Sequence, residues 1–131
     1  MRVVFITHNH LGRACIEELH ELGADVVSVF TRPPETNVAD QTGLSGLADQ
    51  IDARLHRVES VNHTRVVNEI ASYEPELLFV VGWSRLVERH VINLSSVASL
   101  GMHPAPLPRG RGRAPIAWNL IKGLEQTALS M

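Results

Sequence analysis

Residues 77–81 read Leu77-Leu78-Phe79-Val80-Val81, five apolar residues with no polar interruption. A strand with one wet face would alternate. An unbroken run of this length predicts a strand buried on both faces, the signature of a parallel sheet covered on each side by helices. Working outward, the same kind of run recurs at Val3 to Thr7 and Asp25 to Phe30, with a weaker one at Leu55 to Val58 and another at Val97 to Met102. Helical spacing lies between them. Leu11, Cys15, Leu19 and Leu22 define one helix, which Gly23 stops. Asn62 is placed to cap a second, through Tyr73, with Val66, Val67 and Ile70 as its apolar face. Short helices are expected at Leu44 to Ala53, Ser84 to Leu94 and Ala114 to Ile121, the last tolerating Pro115 in its first turn and ending at Gly123. Thr31 to Gly46, with Pro33, Pro34, Asn37, Gly43 and Gly46, reads as a loop. Thr127 to Met131 reads as the start of a further strand. Strands alternating with helices imply right-handed βαβ units. The expected fold is therefore α/β, a Rossmann-like parallel sheet with helices on both faces, one domain over residues 1–131, cut off at its C-terminal end.

Composition bounds the function. At 131 residues with 44% hydrophobic and 20% charged residues, the chain has enough apolar content for one core. A formal net charge of -2 supplies no general drive toward nucleic acid or anionic membrane. No apolar run approaches a membrane span, and the run after Met1-Arg2 is too short for a signal peptide. Cys15 is the single cysteine, so no internal disulfide forms. A reducing, cytoplasmic setting follows as the expectation, with Cys15 as a small core residue. An unpaired sheet edge leaves room for a homo-oligomer.

In an open parallel sheet, ligands bind beyond the carboxyl ends of the strands. That rule singles out Thr7 to Arg13, Gly82 to Val87 and Met102 to Arg113. His103 stands directly after a strand and before a proline-rich turn, Pro104-Ala105-Pro106-Leu107-Pro108. An imidazole there suits proton transfer at neutral pH; equally, it could bond a loop carbonyl. Trp83 could stack on a ligand ring or pack. Arg109-Gly-Arg-Gly-Arg113 has no interleaved aromatics, so nucleic-acid binding is not favoured. His8 and His10, one residue apart with no third ligand nearby, give no metal site.

From His103 to Pro115 the sequence resembles the His-Pro-x-x-Leu-Pro-x-x-Arg-Gly-x-x-Pro signature of enzymes that use 10-formyltetrahydrofolate, among them methionyl-tRNA, glycinamide ribonucleotide and sugar N-formyltransferases. Pro75-Glu76-Leu77-Leu78 and Gly82-Trp83-Ser84-Arg85-Leu86 look like the same family. The resemblance implies transfer of a formyl group from 10-formyltetrahydrofolate, as cosubstrate and without metal, to a small-molecule amine, with an amino sugar favoured. It implies a catalytic role for His103. It places Arg85, Leu86, Val87, Leu107, Pro108 and Arg113 against the folate, and His8, Asn9 and His10 against the acceptor. The family's asparagine two residues before the histidine is replaced by Gly101, which removes a side-chain donor for the developing oxyanion. The family's catalytic aspartate would follow Met131, so the 131 residues alone are expected to be inactive. A catalytically impaired folate- or nucleotide-binding module is the alternative, and a regulatory α/β domain the third.

Overall fold

The computed structural model describes residues 1–36 and 38–131; Asn37, placed in a loop by the sequence, lies outside them. The chain divides into two compact units, Met1–Leu100 and Gly101–Met131.

The first unit is built on the sheet. In chain order its strands are β1 (Arg2–Ile6), β2 (Asp25–Thr31), β3 (Arg54–Arg57), β4 (Leu77–Val80) and β5 (Ala98–Gly101), and in space they run β3-β2-β1-β4-β5. β1 pairs in parallel with β2 and β4, and β2 with β3. β1 is thus central, and Val3, Val4, Phe5 and Ile6 are all fully buried. Side chains of a strand alternate between faces. Val4, Ile6 and Leu78 form one cluster with Phe30, Val61, Ile70 and Val91. This is the face covered by α3 (Thr64–Ser72), whose Val66, Val67 and Ile70 stripe serves as expected. On the other face the Phe5 and Phe79 rings stack, centroids 5.5 Å apart.

Helix α1 (His10–Glu21) begins one residue earlier than its apolar spacing suggests, because Asn9 Oδ1 accepts from the Gly12 amide at 3.0 Å and caps it. Its buried positions are Gly12 and Ile16, while Leu11 and Leu22 are exposed and Cys15 is half-buried. The inward face is rotated from the expected stripe because the Thr7 side chain fills the space beside Gly12, where a Cβ could not fit. The expected loop holds a 3-10 turn at Pro34–Thr36, and α2 spans Ser45–Gln50.

Two expected elements take another form. Ser84 to Leu94 is helical only over Arg89–Ile92, α4. The Asn62 side chain binds the Leu86 carbonyl at 2.9 Å and the Glu88 amide at 3.0 Å, occupying backbone groups a longer helix would use. Asn62 therefore holds a loop and does not cap α3, whose N-cap is His63. Thr127 to Met131 contributes no sheet strand; it makes an isolated antiparallel bridge between Ser130 and His103. Prolines at 104, 106 and 108 remove the donors with which that bridge could grow into a ladder. The second unit otherwise contains α5 (Pro115–Ile121), which opens on proline as expected. Among the described residues no helix is long and apolar enough to cross a membrane.

Candidate functional site

Strand order reverses between β1 and β4, so the connections leaving these two strands diverge and open a crevice at their carboxyl ends. Loop 7–10 and loop 82–88 meet there. Gly82 takes φ +64°, and a side chain on it would fall on the Asn9 carboxamide. Only glycine serves at such a position. The His8 ring lies 5.9 Å from that of Trp83, tilted by 53°. His8 is only 4% exposed, and neither ring nitrogen has a partner among the described residues. Burial, then the nearby charge of Arg32, lowers its pKa from 6.5, so the ring is neutral at neutral pH. Asn9 spends its side chain on the α1 cap, and Thr7 Oγ1 lies 3.4 Å from the same oxygen. His10, the first residue of α1, is exposed. The loop is tied to the following connection by the Thr42 amide donating to the His8 carbonyl at 2.9 Å and by an Asn9–Gln41 bridge.

In loop 82–88, Arg85 is exposed and Leu86 is 80% exposed, while Val87 and Trp83 pack against the core cluster. Asn62, gripping both Leu86 and Glu88, fixes the backbone on which Leu86 is displayed. An exposed leucine on a braced loop can receive a flat apolar ring. Trp83 takes the packing role left open by the sequence, although its Nε1 is buried without an acceptor.

The second unit presents His103 on a turn. Its amide donates to the Ser130 carbonyl, and the Ser130 amide donates back, both at 2.9 Å. The Ser130 hydroxyl donates to the Ala105 carbonyl at 2.8 Å and accepts from the Leu107 amide at 3.3 Å. Ring Nε2 of His103 is 2.9 Å from the Gly110 carbonyl. A carbonyl can only accept, so Nε2 carries the hydrogen and Nδ1 of the neutral ring keeps its lone pair. Gly110 reaches this position with φ +70°, and a Cβ there would stand 2.8 Å from that of Ala105. Leu107, Pro108 and Arg113 are exposed on the same turn, whose far side is held by Arg111 Nε donating to the Pro108 carbonyl at 2.8 Å. Gly101, the end of β5, brings no side-chain donor.

The structure thus groups His8 and Asn9 with loop 82–87 in one unit, and His103 with Leu107 and Pro108 in the other. Among the described residues no group of three or more His, Cys, Asp or Glu could hold a metal. Three contributors escaped the sequence reading. Ser130 and Asn62 act through partners 23 to 27 residues away, beyond any local pattern. Arg32 reads as a loop arginine beside Pro33, yet it is 6% exposed; its place directly after a run of buried β2 residues was the available signal.

A family model described as formyl transferase matches residues 1–131. The methionyl-tRNA formyltransferase of Alkaliphilus oremlandii (strain OhILAs) is 25% identical over 134 residues, covering 99% of this chain and 43% of that protein. The chain thus spans less than half the length of this relative. Phosphoribosylglycinamide formyltransferase from Bacillus halodurans superposes with a TM-score of 0.78 at 15% identity, over 98% of this chain and 69% of the other. A formyltetrahydrofolate deformylase from Pseudomonas putida KT2440 gives 0.63 at 19% identity, over 92% and 44%. These structural likenesses establish the Rossmann-like fold. Taken with the match along its whole length, they lead to one assignment: the chain belongs to the formyl transferase family.

Proposed function

We propose that this chain supplies the histidine-bearing turn and the cosubstrate-facing loop of an enzyme that moves a formyl group from 10-formyltetrahydrofolate to an amine. The observation carrying this reading is the posture of His103. Its backbone is held on both sides by Ser130, its Nε2–H is committed to Gly110, and its Nδ1 has no partner among the described residues. When bound, the cosubstrate supplies an electrophilic formyl carbon. Nδ1 of His103 would take the proton that the attacking amine releases, and the imidazolium, steadied by the Gly110 carbonyl, would return it to N10 as the bond between N10 and the formyl carbon breaks. That carbonyl does the orienting job that an aspartate does in other histidine-dependent sites.

The residues present fit the cosubstrate. Exposed Leu86 on its braced loop suits a pterin ring, with Arg85 and Val87 beside it; Leu107, Pro108 and Arg113 are exposed on the histidine turn. His8, Asn9 and His10 belong to the acceptor side, where Asn9 acts through the loop it caps. The net charge of -2 supports a small amine such as an amino sugar over a nucleic acid.

Gly101 favours a second reading, a module that binds folate but transfers formyl slowly. A missing oxyanion donor typically costs roughly 10²–10³ in rate. Calorimetry of the full-length protein with a stable analogue of 10-formyltetrahydrofolate tests both, since each expects saturable heat and its absence removes them together. Steady-state formyl transfer by the same protein, with and without His103→Ala, separates them. The transferase reading expects measurable turnover that the variant loses.

A further inference from the structure

Arg32 is a buried cation with no ion-pair partner among the described residues. It is 6% exposed, and its Nε has no hydrogen-bond partner among them. Its Cζ lies 5.8 Å from the centroid of Trp83. A ring face offsets part of the charge but accepts none of the in-plane N–H groups. The neighbours deepen the deficit. Trp83 Nε1 and both His8 nitrogens are buried and unpartnered. Desolvation and then the charge of Arg85 depress the guanidinium pKa, with Glu59 opposing. Folding rarely leaves so many buried polar atoms together unpartnered. An uncompensated buried charge is among the costlier defects a protein carries.

Arg32 also lines a cavity of about 550 Å³ with Thr31, Asp40, Gln41, Thr42 and Arg57. Arg57 donates to Ser45 Oγ at 2.8 Å. Asp40 is the carboxylate among the lining residues, so the two arginines leave the wall with a positive excess. The Gln41 side chain is spent on the Arg32 and Pro33 carbonyls, at 3.2 and 3.0 Å. It fixes the backbone around Arg32 and makes no bond to the guanidinium.

We propose that Arg32, backed by Trp83 and His8, receives an oxyanion group, a phosphate or a carboxylate, carried by the formyl acceptor. Its planar fork of N–H donors matches either oxyanion. Assigning the anion to the acceptor rests on the formyl-transfer reading above; the anion site itself stands on Arg32 and its neighbours.

The test is thermal melting of the full-length protein in chloride, phosphate and acetate at matched ionic strength, with Arg32→Met and Arg32→Lys beside the parent. Phosphate or acetate should raise the parent's melting temperature above that in chloride, by mass action on the folded state. The anion that acts names the phosphorylated or the carboxylated acceptor. Arg32→Met should bind that anion roughly tenfold or more weakly, the loss expected for charge-assisted hydrogen bonds. In chloride it should melt above the parent, because it removes the unpaired charge and keeps the apolar stem. Arg32→Lys should retain a weakened response. The proposal is overturned if the parent responds to neither anion, if Arg32→Met responds as the parent does, or if Arg32→Met melts lower with its anion response intact. Calorimetry with the folate analogue is run alongside. A parent that binds the anion but not the analogue keeps the anion site and loses the acceptor assignment. A parent that binds the analogue while ignoring both anions loses only the anion site.

Discussion

His103 Nε2 sits 2.9 Å from the carbonyl of Gly110, seven residues further along the same turn. The bond selects the tautomer and so leaves Nδ1 as the basic nitrogen. His103→Gln should keep the turn folded and remove the base. A loss of about 10²–10⁴ in kcat is expected for removing a general base, with melting temperature near that of the parent. Steady-state kinetics and a thermal scan check it. Unchanged turnover would take His103 out of the chemistry.

Gly110→Ala tests the carbonyl that aims the ring. At φ +70°, with Ala105 only 2.8 Å from the new Cβ, the variant must shift the Gly110 carbonyl or strain the backbone. Strain at such a position costs on the order of 1–3 kcal/mol. Stability and turnover should fall together, and the NMR tautomer signature of His103 should change. Parent-like tautomer shifts would show that another group sets the ring.

Asn62→Ala should release loop 82–88 by removing two hydrogen bonds, to Leu86 and Glu88. Each typically contributes about 0.5–1.5 kcal/mol. The expected pattern is weaker binding of the folate analogue, faster amide exchange at Glu88 and little change in kcat. Equal exchange rates in variant and parent would mean the loop is braced elsewhere.

Acid should destabilise the first unit through His56. Burial lowers its pKa from 6.5, with Glu69 opposing. Its ring stacks on Phe30 at 4.5 Å and meets the Tyr73 hydroxyl at 2.8 Å. The folded pKa lies below the unfolded one, so the unfolded chain binds the extra proton. The stabilising contribution is complete above about pH 6.5 and is lost as pH falls below it toward the folded pKa. His56→Phe keeps the stack and removes the proton site. Its melting temperature should depend less on pH between about 7.5 and 5.5 than the parent's. Identical slopes would put the acid sensitivity elsewhere.

How far the sequence carries depends on whether a residue's role is local. Leu77 to Val81 announced a buried parallel strand, and β4 takes that place, although only Leu78 and Val81 in the run are fully buried. His103 was singled out because strand end, proline turn and family motif coincide. Arg85, Leu86 and Val87 were rightly placed beyond a strand, but on a loop and not in a helix. The helix was lost to Asn62, whose own position looked like an ordinary cap. Ser130 and Arg32 were illegible for the same physical reason. One acts by reaching back across the turn to His103, the other by being buried without a partner, and periodicity reports neither.

The Arg2 amide binds the Glu76 carboxylate 74 residues along the chain, and β1 zips to β4 in register beside it. The middle of the sheet is thus its most distant pairing in sequence among these strands. At roughly 5–20 residues per second of synthesis, β1 is finished some 4–15 s before β4 exists. For roughly the first third of that interval neither edge of Val3-Val4-Phe5-Ile6 has a partner strand; afterwards one edge has β2 and the other still has nothing. The nascent protein carries a sticky hydrophobic ribbon for seconds, the kind of surface that chaperones exist to shield.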